Sequence, residues 1–394
     1  MLSMQIDKDA GGPPVEVYRL SGPVYTSDEM LQVTTLHSWH RANGAKMAEF
    51  AEWDMPIQYS LGAIEEHRLV RRSAGLFDVS HMGQLVCSGP GATAFLDQML
   101  SSDIASLPEG HSTYALLCRE DGGVLDDVFV YRLAGDFLVV VNAANTEKDA
   151  RWLADHLPES GVDLDDFSPE TAMFAFQGPQ AVPIMDALTG GKTSPIPRFG
   201  SGNLSVAGIS CTVGRTGYTG EDGVELFLPS ALAQRVWEAI LEEADRQSVD
   251  CGPVGLAARD SLRFEPGFPL YGHELSEEIS PIQARLKWAC NLEKDFIGAS
   301  ALRRQAEEGV PTKLATVIMK DRGVPRQGYR VLHEGEPVGV VASGMYAPTV
   351  DAYAANVFVT SLLAKIGSVV EIEIRNRPRA AVVTKRPLYR PAYR

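Results

Sequence analysis

Residues 86–97 read Val86-Cys87-Ser88-Gly89-Pro90-Gly91-Ala92-Thr93-Ala94-Phe95-Leu96-Asp97, and residues 175–186 read Ala175-Phe176-Gln177-Gly178-Pro179-Gln180-Ala181-Val182-Pro183-Ile184-Met185-Asp186. In each, an apolar, strand-like run ends at Gly-Pro, an alanine follows two residues after the proline, and an apolar pair precedes an aspartate. The pattern reads as strand, glycine turn and helix, with proline at the first helical position, where its missing N–H has no intrahelical partner to lose. A unit used twice predicts two related α+β domains within about the first 300 residues.

Hydrophobic periodicity extends this reading in both directions. Alternation predicts strands at 114–117, 128–133, 137–142 and 174–176, and the helical period predicts helices at 60–73, 146–157 and 231–244. From about residue 311 the texture changes. Short alternating segments at 313–319, 330–333, 337–341 and 368–374, broken by glycine and proline, predict a small all-β domain. Residues 1–33, with Gly11-Gly12-Pro13-Pro14, lack sustained periodicity and read as an N-terminal extension, structure starting near Leu36. The resulting division is 1–33, 34–310 and 311–394.

Composition narrows the function classes. A chain of 394 residues with 45% hydrophobic content has room for two or three cores. The net charge of −15 argues against a dedicated nucleic-acid binder, which needs clustered Lys and Arg for phosphates. No apolar run approaches the roughly 20 residues that cross a bilayer, and no secretory signal opens the chain. The expectation is a soluble protein without a membrane partner, cytoplasmic, or in the mitochondrial matrix if the source is eukaryotic. Five scattered cysteines and the absence of C-x-x-C or H-x-x-x-H spacings predict reduced core thiols and no metal site. His37 and His40 share a helix face, more in the manner of packing than of ligation. Basic residues gather late, at Arg375, Arg377, Arg379, Lys385, Arg386, Arg390 and Arg394. Two readings stand for them: a solvated tail, or a segment laid over a cleft that receives a polyanion.

Four segments carry candidate chemistry. Residues 214–225, Gly-Arg-Thr-Gly-Tyr-Thr-Gly-Glu-Asp-Gly-Val-Glu, combine Gly214, Gly217, Gly220 and Gly223 with Arg215, Tyr218, Glu221 and Glu225. Either this is a ligand loop or the glycines only shape a hairpin between strands at 210–213 and 224–228. At 122–131 a glycine turn feeds a strand that starts with Asp126 and Asp127. Adjacent strand residues point to opposite faces, so one of the pair is expected to face solvent; the other either caps the turn or acts as a buried carboxylate beside a substrate amine. His81, in Phe77-Asp78-Val79-Ser80-His81-Met82-Gly83-Gln84, is a general base or, more in keeping with its surroundings, a hydrogen-bonded structural histidine, with Met82 able to line a pocket. Residues 253–265 read as a helix with Arg259 and Arg263 one turn apart, serving surface pairs with Asp260 or Glu265, or a carboxylate anchor.

Together these segments resemble the aminomethyltransferases of the glycine cleavage system, the T-protein family. The matching pieces run in family order from about residue 36. They are Gly44-Ala45-Lys46-Met47 with Trp53-Asp54-Met55-Pro56, Gly75-Leu76-Phe77-Asp78-Val79-Ser80-His81-Met82-Gly83, Gly122-Gly123-Val124-Leu125-Asp126-Asp127 and Val141-Asn142-Ala143-Ala144-Asn145. They continue through 215–225, 255–263 and Phe296-Ile297-Gly298. The resemblance implies an α+β, three-domain fold, two interleaved α+β domains plus a C-terminal β-barrel, around a central folate pocket. It implies that Asp127 is the catalytic carboxylate and that Tyr218 and Glu225 contact the pterin. Met82, Tyr114, Asn142 and Arg259 match further pocket positions, and the segment 390–394, ending in Arg394, matches one that helps close the site.

The implied reaction takes an aminomethyl group from the lipoyl arm of an H-protein-like carrier. Tetrahydrofolate accepts the carbon, giving 5,10-methylenetetrahydrofolate, ammonia and the reduced arm. Asp127 is expected to stay ionised to orient the folate amines. The same scaffold also hosts demethylases of small S-methyl or O-methyl donors, such as dimethylsulfoniopropionate or methoxylated aromatic acids, modules that process dimethylglycine or sarcosine, and non-catalytic folate-binding proteins. The Lys-Gly-Cys-Tyr-type segment of the iron–sulfur-assembly folate proteins is absent. One departure is Glu52, where the family usually has glycine before the Trp-Asp-Met-Pro piece, so the local turn is expected to differ.

Overall fold

The computed structural model describes residues 31–393; residues 1–30 and Arg394 lie outside the described part. Most of the expected extension is therefore not described. Ordered pairing starts ahead of Leu36, since Gln32 bridges Trp53, its N–H donating to the Glu52 carbonyl at 2.9 Å.

Two large, mainly antiparallel sheets and a two-stranded hairpin, Lys46–Phe50 with Trp53–Gln58, form the first part of the chain. One has six strands in the order Ser201–Val206, Ile209–Gly214, Gly223–Pro229, Thr171–Gln177, Ala74–Asp78 and Cys251–Pro253, the last pair parallel. The other has five, in the order His111–Cys118, Val124–Arg132, Phe137–Val141, Gly83–Ser88 and Asp163–Asp166. The chain leaves the first sheet after Ala74–Asp78, builds the whole second sheet, and returns at Thr171–Gln177, so the two units interleave as expected.

The period-2 geometry of the strands explains how the layers stack. In Ala74–Asp78, every residue of which is buried, Leu76 points to the helix-covered core with Phe174, Phe176 and Trp237. Its neighbour Phe77 points the other way, to a core shared with Tyr131, Leu138 and Val140 of the second sheet. The helix Ala233–Arg246 covers the outer face by burying Val236, Trp237, Ile240 and Ala244 along one stripe. Ala92–Met99 does the same for the second sheet with Phe95, Leu96 and Met99.

Both Gly-Pro repeats are strand-to-helix corners. Gly89 and Gly178 have φ of 99° and 127°, and an added Cβ at Gly178 would overlap the Ser73 carbonyl. The helices start two residues later than expected, at Ala92 and Ala181 with Gly91 and Gln180 as caps, so Pro90 and Pro179 precede the cap instead of occupying the first turn. The helix expected at 60–73 is Ala63–Arg72, that at 146–157 is Thr146–Asp155, and that at 253–265 is Leu256–Phe264 behind the short strand Cys251–Pro253.

From Thr312 the chain closes a six-stranded barrel, in the order Thr312–Met319, Ala352–Thr360, Glu336–Ala347, Arg330–His333, Val369–Ile374 and Arg377–Thr384. The α+β class and the C-terminal barrel stand as expected. Two of its strands were not anticipated. Ala352–Thr360 is almost continuously apolar and lacks alternation, and Arg377–Thr384 opens with two arginines and Pro378. The barrel is tied to the rest through Arg263, which is 1% exposed. Its guanidinium donates to Glu274 at 3.0 Å and to Ser343 of the barrel at 3.0 Å, while Asn356, on the next strand, donates to Glu274 at 2.8 Å.

Candidate active site

A cavity of about 380 Å³ opens where the two sheets and the helix Leu256–Phe264 converge. It brings together Asp127, Met82, Tyr114, Asn142, Tyr218, Glu225 and Arg259, every expected site residue except Arg394, which lies outside the described residues.

Asp127 is placed by its strand. Val124–Arg132 starts four residues earlier than periodicity suggested, so the Asp pair lies inside the ladder and neither member caps the turn. The two carboxylates have different surroundings though they share the Asn142 amide, and neither faces bulk solvent. Asp126 is fully buried and accepts the Asn142 N–H at 2.9 Å, the Asn142 amide at 2.8 Å and the Asn145 amide at 2.6 Å. Asp127 turns into the cavity, accepting the Tyr114 hydroxyl at 3.0 Å on one oxygen and the Asn142 amide at 3.0 Å on the other. Burial, and then the charge of Asp126, push the Asp127 carboxyl up to about 7, against the two donors that stabilise its ionised form. The expectation of a fully ionised Asp127 is thus revised to a group poised near neutrality, where a side chain both accepts and returns a proton efficiently.

The glycine loop is the tip of a hairpin and also borders the cavity. Ile209–Gly214 and Gly223–Pro229 pair antiparallel, so 215–222 is a hairpin loop, and the same loop walls the cavity with Gly217 and Tyr218. Of its four glycines only Gly220 has positive φ, at 84°. Gly217 instead allows close approach, since a Cβ there would overlap the Gln177 side-chain amide. Tyr218 lies near parallel to Phe268, centroids 5.8 Å apart, and its hydroxyl donates to the Pro269 carbonyl. Arg259 sits over the Tyr218 ring at 4.7 Å.

Electrostatics around Arg259 are unbalanced. The sequence offered Arg259 and Arg263 as surface pairs with Asp260 or Glu265, or as a carboxylate anchor; Arg263 does pair with Asp260, donating at 2.9 Å, but both arginines are drawn inward. Arg263 forms the buried junction above, whereas Nη1 of Arg259 is buried with no hydrogen-bond partner among the described residues. Burial lowers its pKa, partly offset by Glu225 and Tyr218. On Glu225, Tyr131 donates at 2.8 Å and Thr216 at 2.6 Å, both to Oε2, which leaves Oε1 as the oxygen that can receive a ligand N–H.

His81 departs from the hydrogen-bonded structural role expected of it. It is buried and edge-on to Phe50, with ring centroids 5.7 Å apart, and its Nδ1 has no partner among the described residues. Burial and then Arg259 push it down to about 4, so it is a neutral imidazole. It stands where the cavity meets a larger groove of about 1310 Å³. His40, by contrast, is saturated: one ring nitrogen meets Asp78 at 2.9 Å and the other the Tyr59 hydroxyl at 2.8 Å.

The late basic cluster is not a free tail. The Leu388 N–H donates to the Glu265 carbonyl at 2.8 Å, Arg386 donates to the Gly267 carbonyl, and the Tyr389 ring lies 4.2 Å under Arg71. Tyr393 reaches Glu221 of the glycine loop. Among the described residues no group of histidines, cysteines and carboxylates is arranged to hold a metal. Sequence reading missed Phe50, Phe129, Leu270 and His273, which also line the cavity, and Trp288, which is 71% exposed and stacks on Tyr114. No motif marks them. Asn145 was legible in the Val141-Asn142-Ala143-Ala144-Asn145 piece, but its partner Asp126 was not.

With this geometry in place, known proteins decide the relationship. The GCVT N-terminal domain family matches residues 36–294, and the glycine cleavage T-protein C-terminal barrel domain family matches residues 313–390. The chain belongs to the glycine cleavage T-protein family. An aminomethyltransferase of Geobacillus kaustophilus is 46% identical over 92% of this chain and all of the relative. One from Desulforamulus reducens is 44% identical over 91% of this chain and 98% of the relative. The crystal structure of the glycine cleavage system aminomethyltransferase T from Bartonella henselae superposes with a TM-score of 0.86 at 33% identity, covering 92% of this chain and 99% of that one. As a member of the T-protein family, the chain is an enzyme that transfers one-carbon units.

Proposed function

We propose that the cavity binds tetrahydrofolate and that the chain transfers the methylene carbon of an aminomethyl-lipoyl group, borne by an H-protein-like carrier, to that folate, with release of ammonia. Near-complete coverage of relatives named aminomethyltransferase supports the reaction. The observation that carries the ligand is the unpartnered, buried Nη1 of Arg259 in the same cavity as the Oε1 of Glu225. A pterin presents a carbonyl acceptor and N–H donors along one edge, which matches a guanidinium donor beside a carboxylate acceptor.

Tetrahydrofolate supplies the amine that accepts the one-carbon unit. The protein's residues do the rest. Tyr218 gives a flat apolar surface, Met82 fills the wall, and Tyr114 and Asn142 hold the two oxygens of Asp127. Asp127 offsets positive charge developing on the donor and holds or returns a proton at the reacting amine. The segment that includes Arg386 and Tyr389 is tied to Gly267 and Arg71, and Arg394 keeps the site-closing role that the family resemblance implies. The same reading divides the chain into the interleaved region 34–310, preceded by the extension, and the barrel region 311–394.

Calorimetric titration of tetrahydrofolate into Arg259→Gln tests the ligand assignment. The expected loss is on the order of 10–100-fold in Kd, the worth of a hydrogen bond to a charged donor. Unchanged affinity would place the folate elsewhere.

A further inference from the structure

Behind Asp127 lies a third carboxyl that the transfer chemistry does not use. Asp149, on the helix Thr146–Asp155, is fully buried, and neither carboxyl oxygen receives an N–H or O–H from a described residue. Asp149 stands one helical turn from the cap Asn145, whose amide donates to Asp126 at 2.6 Å, and its neighbour Lys148 donates to the Leu125 carbonyl at 2.7 Å, so the helix start lies against the strand at Asp126, the charged group that acts most on Asp149. Its chain neighbour Lys148 does not neutralise it by contact. That ammonium is engaged by the Leu125 carbonyl at 2.7 Å, the Tyr271 hydroxyl at 3.1 Å and Glu277 at 3.6 Å.

Two adjoining carboxyls out of water cannot both ionise, so one proton must lie between them. Its location follows from the donors. Asp126 already accepts three N–H groups, from the Asn142 backbone, the Asn142 amide and the Asn145 amide, and offers one more lone pair. Asp149 has no N–H or O–H donor among the described residues. The acceptor is therefore Asp126, and the proton resides on Asp149.

We propose that Asp149 is a positioning residue kept as a neutral carboxylic acid, donating to Asp126 and, through Asp126 and the shared amide of Asn142, fixing the place and proton affinity of Asp127. The connection is continuous, because the Asn142 amide nitrogen stands 2.8 Å from Asp126 and 3.0 Å from Asp127. Burial, then Asp126, pushes Asp149 up to about 11, in line with this arrangement, with Lys148 opposing and Asp127 reinforcing the shift. The proposal rests on reading Asp127 as the carboxylate of the transfer site.

The test compares the full-length wild type with Asp149→Asn, which keeps size and a donor, and Asp149→Leu, which keeps size alone. The infrared difference spectrum between wild type and Asp149→Asn at pH 8 is expected to contain the carbonyl stretch of a protonated carboxylic acid. The lower limb of the pH profile of kcat/KM is expected to overlay in wild type and Asp149→Asn. In Asp149→Leu the Asp126 charge loses its donor, and the limb moves up by on the order of one pH unit.

Absence of the protonated-acid band overturns the proposal, as does a limb that moves down in Asp149→Asn, the signature of deleting an ionised carboxylate. Should Asp149→Leu fail to fold, the band and the Asp149→Asn profile decide alone. Full turnover in Asp127→Asn contradicts the site reading instead, and the infrared band still decides whether Asp149 carries the proton.

Discussion

Asp127 shows how a strand can make a titrating group out of an ordinary carboxylate. Asp126 goes into the protein and Asp127 into the cavity, and burial, followed by the charge of Asp126, raises the one that faces the cavity. The folded value of about 7 stands above the ordinary 3.8, so the folded state holds this proton across a window in which the unfolded chain has lost it. Two consequences follow with definite sign. The contribution of this group to stability falls as pH rises from about 4 to about 7. If the ionised form serves transfer, kcat/KM rises with pH up to about 7 and levels off above it. Steady-state rates across pH 5–9 in wild type and in Asp127→Asn check this, with turnover in the variant lower by on the order of 10²–10⁴-fold. A variant at the wild-type rate removes Asp127 from the chemistry.

At the scale of elements, the hairpin that carries Phe50 to the cavity rim is a point of strain. Strands Lys46–Phe50 and Trp53–Gln58 are joined by two residues alone, Ala51 and Glu52, with φ of 52° and 67°. Positive φ at both central positions is the conformation that Asn-Gly adopts readily, and a side chain there is unfavourable by about 1–2 kcal/mol. Glu52, where the resemblance led to an expected glycine, takes up a backbone conformation that glycine adopts without strain. Glu52→Gly is expected to raise the urea midpoint by the equivalent of about 1 kcal/mol without altering the slope. A destabilised variant would show that Glu52 makes a compensating contact.

The elements were legible where local chemistry decides them. The Gly-Pro corners, the amphipathic helix Ala233–Arg246 and the strands with clean alternation follow from periodicity. Ala352–Thr360, apolar on both sides, and Arg377–Thr384, headed by charge and Pro378, could not be read, because closure of a barrel and not local pattern makes them strands. The candidate site was legible as motifs. What lay out of reach were contacts between distant segments: Asp126 with Asn145, Asp126 with Asp149, Trp288 with Tyr114, and the orphaned nitrogens of Arg259 and His81.

Across the whole molecule, the barrel is held to the interleaved sheets by a buried ionic junction. Arg263 and Glu274 are each 1% exposed or less, and they recruit Ser343 and Asn356 from two barrel strands. Removing one partner strands the other charge out of water. Glu274→Ala is therefore expected to cost about 3–5 kcal/mol in urea unfolding, whereas Arg263→Met combined with Glu274→Leu costs less, since no charge is left behind. Equal losses in the two proteins would mean that shape, not charge, makes the junction. Because Arg263 stands one turn from Arg259 on the same helix, the junction also fixes the cavity wall.

The central claim, that this cavity joins a folate to a carrier-borne aminomethyl group, is tested most directly by the mass of the folate product. Tetrahydrofolate and the enzyme are supplied in parallel with aminomethylated H-protein, a methylated sulfonium and a methoxylated aromatic acid. The account predicts 5,10-methylenetetrahydrofolate and ammonia from the carrier alone; 5-methyltetrahydrofolate from either small donor, with no reaction from the carrier, would contradict it.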